Sequence, residues 1–165
     1  MEYLQVFDKD KNKLEEKVGR NEKYNLPEGK YFMIVLIFIE NEEGKFLLQK
    51  TSASRHSCIA TTGGHVTFGD DEFKTVVKEC KEELGIDISL DEITHICTSI
   101  FKNCFLEVFY TKKELNINEL ILQEEEVESV NWYTTEEIKE FIKNNEFREG
   151  NIEPYNKVLE YLNRK

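Results

Sequence analysis

The sequence lacks a long hydrophobic run, closely spaced cysteines and a basic, apolar start. The longest apolar run covers only residues 33–39, and a transmembrane helix needs about 20 apolar residues. Without a basic region followed by an apolar stretch at the start, we expect no signal peptide. The cysteines show no CxxC spacing and are typical of reduced, mostly buried thiols: Cys58, Cys80, Cys97 and Cys104. We therefore expect a cytoplasmic protein that does not cross a membrane.

Basic residues are also scarce. The chain has 22 Lys and Arg residues against 33 Asp and Glu residues, and its formal net charge is -11. A field of this sign repels nucleic-acid polymers and anionic membranes, so we expect neither as a partner. A small phosphorylated ligand stays compatible with it, because a bound metal ion inverts the local electrostatics of an acidic pocket. The expected partner is therefore a small molecule.

The chain has the size of one domain. With 165 residues, 39% of them hydrophobic, it can bury a core without disulfides. No internal repeat, linker or low-complexity segment divides it, so we predict a single domain over residues 1–165. We expect residues 1–30 to form a peripheral β arm, because Leu4, Val6 and Phe7 favour a short strand. The main part of the domain is expected over residues 31–163.

Strands are predicted at several places in the main part. Residues 33–39 form an apolar run that is typical of a strand buried on both faces. A turn at residues 41–44 leads into residues 46–49, which we expect to pair with that strand as a hairpin. Further strands are predicted at residues 93–100, 105–110 and 130–133.

Helical periodicity is strongest after a glycine-rich loop at residues 63–69. Apolar residues recur there at helical spacing and form one stripe: Phe73, Val76, Val77, Cys80 and Leu84. Gly85 stands where a C-capping glycine belongs, so the helix should end there. A capping box of Thr134 and Glu137 predicts a second helix, and Pro154 suits the first turn of a third. The sequence therefore predicts an α/β fold, with helices flanking a mixed sheet.

Three glutamates share a face of the first helix. Glu79, Glu82 and Glu83 cluster away from the apolar stripe. Such a cluster can be a solvated helix face. Like charges this close destabilise a helix unless cations intervene, however, and a glycine pair precedes them. Carboxylates of this kind suit Mg²⁺ or Mn²⁺, held together with substrate phosphates and water. We therefore predict a metal-dependent enzyme that acts on phosphates.

Residues 64–86 resemble the Nudix box of pyrophosphohydrolases. The box is G, five residues, E, seven residues, then R-E-aliphatic-x-E-E-x-G-aliphatic, and the matching positions are Gly64, Asp70, Lys78, Glu79, Cys80, Glu82, Glu83, Gly85 and Ile86. Two positions depart from it, because Asp70 is one methylene shorter than glutamate and Lys78 lacks the planar fork of arginine. The resemblance implies a Nudix-type α/β/α sandwich with a mixed β-sheet and a Nudix hydrolase domain over residues 31–163. The N-terminal arm is similar, more weakly, to the subgroup related to isopentenyl diphosphate isomerase.

The resemblance also implies roles for individual residues. The metal ligands would be three side chains and one backbone carbonyl: those of Glu79, Glu82, Glu83 and Gly64. Lys78 would orient the glutamate that follows it, and Asp70 would support that arrangement. The metal would bridge diphosphate oxygens and help to generate hydroxide from bound water. That water would attack phosphorus in a substituted nucleoside diphosphate and release two phosphorylated products.

A general base must take the proton of that water. The family uses either a glutamate of the box, with Glu82 as the candidate here, or an acid in the loop before a late Trp-containing strand. Residues 124–126 are all glutamates in that loop, and we favour Glu126, six residues before Trp132. The alternative for this triplet is a solvated acidic turn.

Other side chains are weaker candidates. Lys50 and Arg55 precede the glycine-rich loop and are candidates for holding substrate phosphates, although surface solubility explains each nearly as well. A site of hard carboxylate ligands does not call for imidazole, so His56 and His65 are not expected to bind metal. Three aromatic residues are more typical of core packing than of stacking on a base: Tyr110, Trp132 and Tyr133.

Two other functions are compatible with parts of the sequence. An isopentenyl diphosphate isomerase would carry a catalytic cysteine where this chain has Gly63, and Cys58 lies five residues too early. A nucleotide-binding sensor without turnover would normally have lost box carboxylates, and all three metal-binding acids are present. The substrate stays open among nucleoside triphosphates, ADP-ribose, dinucleoside polyphosphates and nucleotide sugars. The oligomeric state, including a homodimer, is open as well.

Overall fold

The computed structural model describes residues 2–53 and 57–164. The strands are β1 (Tyr3–Asp8), β2 (Lys13–Gly19), β3 (Lys30–Glu40), β4 (Phe46–Thr51), β5 (Ile59–Ala60), β6 (Thr62–His65), β7 (Thr94–Phe101), β8 (Cys104–Lys112) and β9 (Val127–Tyr133). The helices are α1 (Glu72–Glu79), α2 (Thr135–Lys143) and α3 (Ile152–Tyr161). Within the described ranges, no helix is long and apolar enough to cross a membrane.

Strand β3 is the centre of a mixed sheet. It runs parallel to β8, from Phe32 opposite Cys104 to Glu40 opposite Lys112. On its other edge it runs antiparallel to β6. The sheet continues from β8 to β7, whereas β4 pairs with β5 and with β9. A central strand with a parallel neighbour on one side and an antiparallel neighbour on the other makes the sheet mixed, as predicted.

Side chains of β3 alternate between two cores. Phe32, Leu36 and Phe38 belong to an apolar cluster that also contains Ile138 of α2 and Val158 of α3. The intervening residues pack on the opposite face with the segment after β6: Met33, Val35, Ile37, Ile39, Val76, Cys80 and Leu84. Each fully buried side chain of this size contributes about 1.5–3 kcal/mol. The predicted strand buried on both faces and the α/β/α sandwich are therefore confirmed.

The predicted hairpin between β3 and β4 forms only at its turn. The two strands pair at a single position, Glu40 opposite Phe46. Beyond it, β4 pairs with β9, with Leu47 opposite Trp132. The prediction is wrong for the rest of the strand, because β6 occupies the edge of β3 that a hairpin partner would use.

The N-terminal arm is packed into the fold and is not peripheral, contrary to the sequence prediction. Leu4 and Val6 are fully buried, and Phe7 is nearly so. Strand β1 pairs with β2 and with the start of β3, where Phe7 lies opposite Tyr31. The sequence does not predict β2, because this edge strand is rich in charge and largely exposed. A 3₁₀ helix, Arg20–Asn25, follows it.

Helix ends agree with the predicted capping residues. The hydroxyl of Thr134 accepts the N–H of Glu137, whose carboxylate accepts the N–H of Thr134 in return. Gly85, with φ of 70°, ends the helical segment that follows β6. Helix α3 begins at Ile152, slightly ahead of Pro154. Local sequence thus determines where these helices start and stop.

Candidate active site

Gly63 and Gly64 lie in β6 and not in a loop, contrary to the sequence prediction. Gly63 lies opposite Leu36, and Gly64 lies opposite Val35. A Cβ atom at Gly63 would lie 2.3 Å from the carbonyl oxygen of Val35, and one at Gly64 would lie 2.2 Å from Cδ of Glu79. The backbone of Val35 approaches Gly63, and the carboxyl group of Glu79 approaches Gly64. Neither position has room for a side chain, so both require glycine.

The turn predicted for the glycine pair follows β6. The N–H of Asp70 donates to the carbonyl of Thr67, and the hydroxyl of Thr67 donates to the Asp70 carboxylate, both at 2.9 Å. Gly69 has φ of +90°, a conformation that side chains disfavour. Asp71 then caps α1 by accepting the N–H of Lys74. Asp70 therefore stabilises the turn that starts the helix.

Helix α1 continues into a π-helical turn, Cys80–Leu84, which the sequence does not predict. Two carbonyl groups of this turn accept hydrogen bonds from a later loop. Ile121 donates its N–H to Leu84 at 3.0 Å, and Gln123 donates its N–H to Glu83 at 3.3 Å. Such π turns are frequent at functional sites. The loop that carries the predicted base is thereby bonded to the segment that carries predicted metal ligands.

A cavity of about 710 Å³ lies beside these elements. Its apolar lining comes from β3, β7 and β8: Ile34, Leu36, Phe101, Cys104 and Leu106. Its acidic lining comes from the arm, from α1 with its π turn and from the later loop: Glu2, Glu79, Glu82, Glu83 and Glu126. The backbone of Gly64 also borders it. The structure thus brings the predicted metal ligands and the predicted base into one cavity.

Two of these carboxylates are buried and electrostatically strained. Burial, followed by the charge of Glu82, raises the pKa of Glu79 to about 7. Burial, followed by the charges of Glu79 and Glu126, raises the pKa of Glu83 to about 9. The carboxyl groups of Glu83 and Glu126 also share a hydrogen bond. Excess negative charge is therefore concentrated where a cation would relieve it.

Polar groups around Glu83 extend the oxygen-rich region. The N–H of Gly63 and the Nε2 amide of Gln49 each donate to Glu83 Oε1 at 3.4 Å. The side-chain oxygens of Gln49 and Gln123 are buried and have no hydrogen-bond partner among the described residues. A buried oxygen without a donor costs free energy unless water or a cation satisfies it. Carboxylate and amide oxygens are the donors that hard divalent cations prefer, so these residues fit such an ion.

Among the described residues, the side chains of the predicted ligands are not arranged as a metal site. Among residues 2–53 and 57–164, no three His, Cys, Asp or Glu side chains are already arranged to hold a metal ion. Burial and then the charge of Glu82 raise the pKa of Glu79, and burial and then the charge of Glu79 raise the pKa of Glu83, so like charges meet here with no cation to neutralise them. The three glutamates therefore share a cavity without converging on one point.

Lys78 and Asp70 lie outside this lining. Lys78 is half-buried, and its charge lowers the pKa of Glu79, against the larger effect of burial. No hydrogen bond or ion pair of Lys78 occurs within the described part of the chain. The orienting role of Lys78 stays a prediction, and the effect seen on Glu79 is that of the Lys78 charge.

Of the two predicted phosphate-binding cations, the structure describes only Lys50, and it does not line the cavity. Lys50 points to solvent and pairs with Glu128 at 3.2 Å, a pair in which both side chains are about half exposed. Arg55 lies outside the described residues, as does His56. Successive side chains of a strand point to opposite faces, so Gln49 faces the cavity and Lys50, the next residue of β4, faces away from it. Lys50 is therefore a surface residue in this fold.

Three aromatic side chains pack as predicted, and His65 borders the cavity. Core packing is confirmed for three aromatic residues, which belong to or pack against the two apolar clusters: Tyr110, Trp132 and Tyr133. His65 borders the cavity, where its Nε2 accepts a hydrogen bond from the Lys23 ammonium at 2.8 Å. It stacks on Phe32, with ring centroids 5.8 Å apart.

Sequence reasoning missed several polar residues that line the cavity, among them Arg20, Lys23, Gln49, Gln123 and Arg148. Gln49 lies in β4 and Gln123 lies in the loop before β9, and neither belongs to a sequence motif. The three cations come from the arm and from the loop before α3, far from the box in sequence. Only the period-two alternation of β4, which turns Gln49 inward, offered a signal.

A family model of the NUDIX domain matches residues 30–155, which is most of the chain. The chain belongs to the Nudix hydrolase family. Nudix hydrolases cleave pyrophosphate-type bonds in small nucleotide-like substrates and generally use divalent cations. The resemblance of the box is therefore confirmed, and so is the prediction of an enzyme.

Sequence relatives cover a similar part of this Nudix hydrolase. Uncharacterised Nudix hydrolases of Listeria innocua and Listeria monocytogenes are each 27% identical to it over 126 residues. The match spans 74% of this chain and 75% of each relative. The proposed kinship of the arm with the isopentenyl diphosphate isomerase branch is not confirmed by these matches and stays a prediction.

Solved structures confirm the fold. DR0079 from Deinococcus radiodurans superposes with a TM-score of 0.73 at 17% identity, covering 92% of this chain and 94% of that one. A MutT/nudix family protein from Enterococcus faecalis reaches a TM-score of 0.55 at 22% identity, covering 65% of this chain and 45% of that one. The coverage by DR0079 is too large for residues 30–155 alone. Its likeness therefore extends into the arm.

Proposed function

We propose that this Nudix hydrolase cleaves the pyrophosphate bond of a nucleoside diphosphate linked to another moiety, in a reaction that depends on Mg²⁺ or Mn²⁺. The observation that carries the proposal is the convergence of four carboxylates on one cavity. Three come from α1 and its π turn, and Glu126 comes from a loop bonded to that turn. The side-chain amide oxygens of Gln49 and Gln123 border the same cavity. Both are buried, and neither accepts a hydrogen bond from a described residue.

Glu79, Glu82, Glu83 and the carbonyl of Gly64 would hold the cation. When bound, the cation supplies neutralising charge for the diphosphate and lowers the pKa of water. The close packing of Gly64 against Glu79 supports this set, because it keeps the two residues next to each other. Lys78 and Asp70 would act indirectly, the first by its charge on Glu79 and the second by shaping the turn before α1.

Glu126 is the proposed general base. Its backbone is fixed by the hydrogen bond from its N–H to the carbonyl of Gln123 at 2.9 Å, and its carboxyl group reaches that of Glu83. It would accept a proton as water attacks phosphorus. The new bond forms between water oxygen and phosphorus, the bridging P–O bond breaks, and two phosphorylated products leave. Glu82, which is exposed to the cavity, is the alternative base.

Isomerisation is less well supported than hydrolysis. Gly63 supplies no thiol, and Cys104, which borders the cavity, has its pKa raised to about 12 by burial. A thiol with that pKa is not a thiolate near neutral pH. The free state of all four cysteines supports a cytoplasmic location. Sedimentation analysis would decide between a monomer and the homodimer left open by the sequence.

A substrate panel tests the proposal. Nucleoside triphosphates, ADP-ribose, dinucleoside polyphosphates and nucleotide sugars should be incubated with Mg²⁺, Mn²⁺ or EDTA, and both products identified. We expect hydrolysis of at least one compound class with a divalent cation and none with EDTA. In ¹⁸O-water the label should appear on a phosphate, and label on carbon would exclude attack at phosphorus. Glu128→Gln, on the exposed side of β9, is the matched control for the box variants.

A further inference from the structure

Three cationic side chains also line the cavity, although the chain as a whole is strongly acidic. Arg20 and Lys23 enter it from the 3₁₀ helix after β2, and Arg148 enters it from the loop before α3. All three side chains are half-buried. The cavity therefore presents three cationic side chains as well as its carboxylates, so an anionic part of a ligand can meet a cation there.

Lys23 is held at both ends. Its carbonyl accepts a hydrogen bond from the side-chain amide of Asn103 at 2.7 Å, and its ammonium donates to Nε2 of His65 at 2.8 Å. The ammonium also lies 5.1 Å from the ring centroids of Tyr24 and Phe32. A cation surrounded by rings loses part of its hydration, so it attracts an anion more strongly than an exposed lysine does.

Arg148 is anchored by its backbone. Its N–H donates to the carbonyl of Ile59 at 2.8 Å, and its carbonyl accepts the N–H of Asn151 at 3.0 Å. Burial raises the pKa of Tyr24, and the charge of Arg148 opposes that effect. Arg20, on the same 3₁₀ helix as Tyr24, lies 3.5 Å from the carboxylate of Glu2. The arm thus supplies Arg20 and Lys23 to the cavity, and the loop before α3 supplies Arg148.

The cations and the box carboxylates contact β6 at different positions. Glu83 meets the N–H of Gly63, whereas Lys23 meets the side chain of His65. Two residues along a strand span about 7 Å. A ligand whose diphosphate lies at the carboxylates can therefore place another part of itself at the cations.

We propose that Arg20, Lys23 and Arg148 bind a second anionic group of the substrate, a phosphate or a carboxylate on the moiety beyond the scissile pyrophosphate. This inference rests on the proposed hydrolysis and narrows its substrate class. Two of the three cations precede residue 30, where the match to the family domain begins. The arm is therefore a specificity element that the domain alone does not supply.

Substrate pairs that differ by one anionic group test the inference. Coenzyme A and its 3′-dephospho form differ by a phosphate, and UDP-glucuronate and UDP-glucose differ by a carboxylate. We expect kcat/KM to favour the more anionic member of at least one pair by about 10- to 100-fold, the size of a charge-assisted contact. The pair that shows the preference identifies which anion is bound.

Variants assign the preference to the cations. The double variant Lys23→Met with Arg148→Gln should raise KM for the more anionic member of the pair and abolish the preference for it. Lys113→Met, which removes an ion pair with Glu92 away from the cavity, is the matched control. Thermal unfolding of each variant shows whether the fold is intact, and the two single variants replace the double one if it is not.

A binding measurement separates this inference from the proposed hydrolysis. In calorimetry with Mg²⁺, adenosine 3′,5′-bisphosphate should bind more tightly than AMP to the parent chain, and equally to the double variant. If no compound of the substrate panel and neither pair is hydrolysed, but this binding difference is found, the proposed reaction is refuted and the anion site is supported. Equal binding by the parent, or a preference that survives in the variant, would overturn the anion site.

Discussion

Adding one methyl group at Gly64 should displace the carboxylate of Glu79 while leaving the protein folded. In Gly64→Ala the new Cβ would lie 2.2 Å from Cδ and 2.4 Å from Oε1 of Glu79. Both atoms belong to the mobile end of a side chain, so the carboxylate can move aside. We expect the free energy of unfolding to fall by about 1 kcal/mol or less, the low end for overpacking.

The same displacement should be costly for metal binding. Moving a ligand or its support typically lowers metal affinity or activity by about 10- to 100-fold. Calorimetric titration with Mn²⁺ measures the affinity, and thermal unfolding without metal measures the fold. We expect Gly64→Ala to lose affinity and turnover together at nearly unchanged stability.

The neighbouring glycine provides the contrast. In Gly63→Ala the new Cβ would lie 2.3 Å from the backbone oxygen of Val35, which cannot move without disturbing the pairing of β3 with β6. That variant should lose about 1–3 kcal/mol or more of stability. Gly19→Ala, where no atom lies within 4 Å, should match the parent in both measurements. Parental Mn²⁺ affinity in Gly64→Ala would refute the assignment of Glu79 as a ligand next to this glycine.

Three further predictions concern the charged groups of the site. Lys78→Arg should preserve activity because the fork and the charge are both present, and Lys78→Ala should lower it by about 10- to 100-fold; parental rates in Lys78→Ala would contradict the role of this charge. Glu83→Gln should lower Mn²⁺ affinity and turnover together, whereas Glu126→Gln should lower turnover by about 100- to 10,000-fold with affinity largely kept, and parental turnover in Glu126→Gln would return the base to the box. Without metal, the folded state holds a proton on Glu79 that the unfolded state has lost, since its pKa is raised from 4.5 to about 7. Stability should therefore fall by about 3 kcal/mol as pH rises through that window, measured by denaturant unfolding. The loss should shrink in Glu79→Gln or with Mg²⁺, and a flat profile in the parent would contradict the burial of this carboxylate.

Local patterns were enough to predict much of the fold. The apolar run of β3 predicts a strand covered on both faces, and Thr134 and Gly85 mark helix ends because capping is decided by neighbouring backbone groups. The pairing of β6 is different, since it depends on how closely Gly63 approaches Val35. Hydrogen bonds between residues distant in sequence likewise hold the π turn. Neither contact leaves a periodic trace in the sequence.

For the candidate site, too, some residues could be predicted from the sequence and others could not. Glu79, Glu82 and Glu83 were predicted because charge repulsion on one helix face is visible in the sequence and because the box is a fixed pattern. Gln49 and the cations of the arm were not, because an inward amide or a half-buried lysine has no distinctive spacing. Lys50 is the opposite case. It was predicted as a site residue because it precedes the glycine-rich loop in sequence, but the alternation of side chains along β4 directs it to solvent.

The bonds between the π turn and the later loop bear on how this enzyme tolerates change. Ile121 and Gln123 attach the loop through backbone N–H groups, and any residue except proline supplies such a group. Side chains along that stretch can therefore vary without loosening the attachment. Inserting or deleting one residue between Gln123 and Glu126 would instead shift the carboxylate away from Glu83. Among natural variants, loop length should thus be kept more strictly than loop composition.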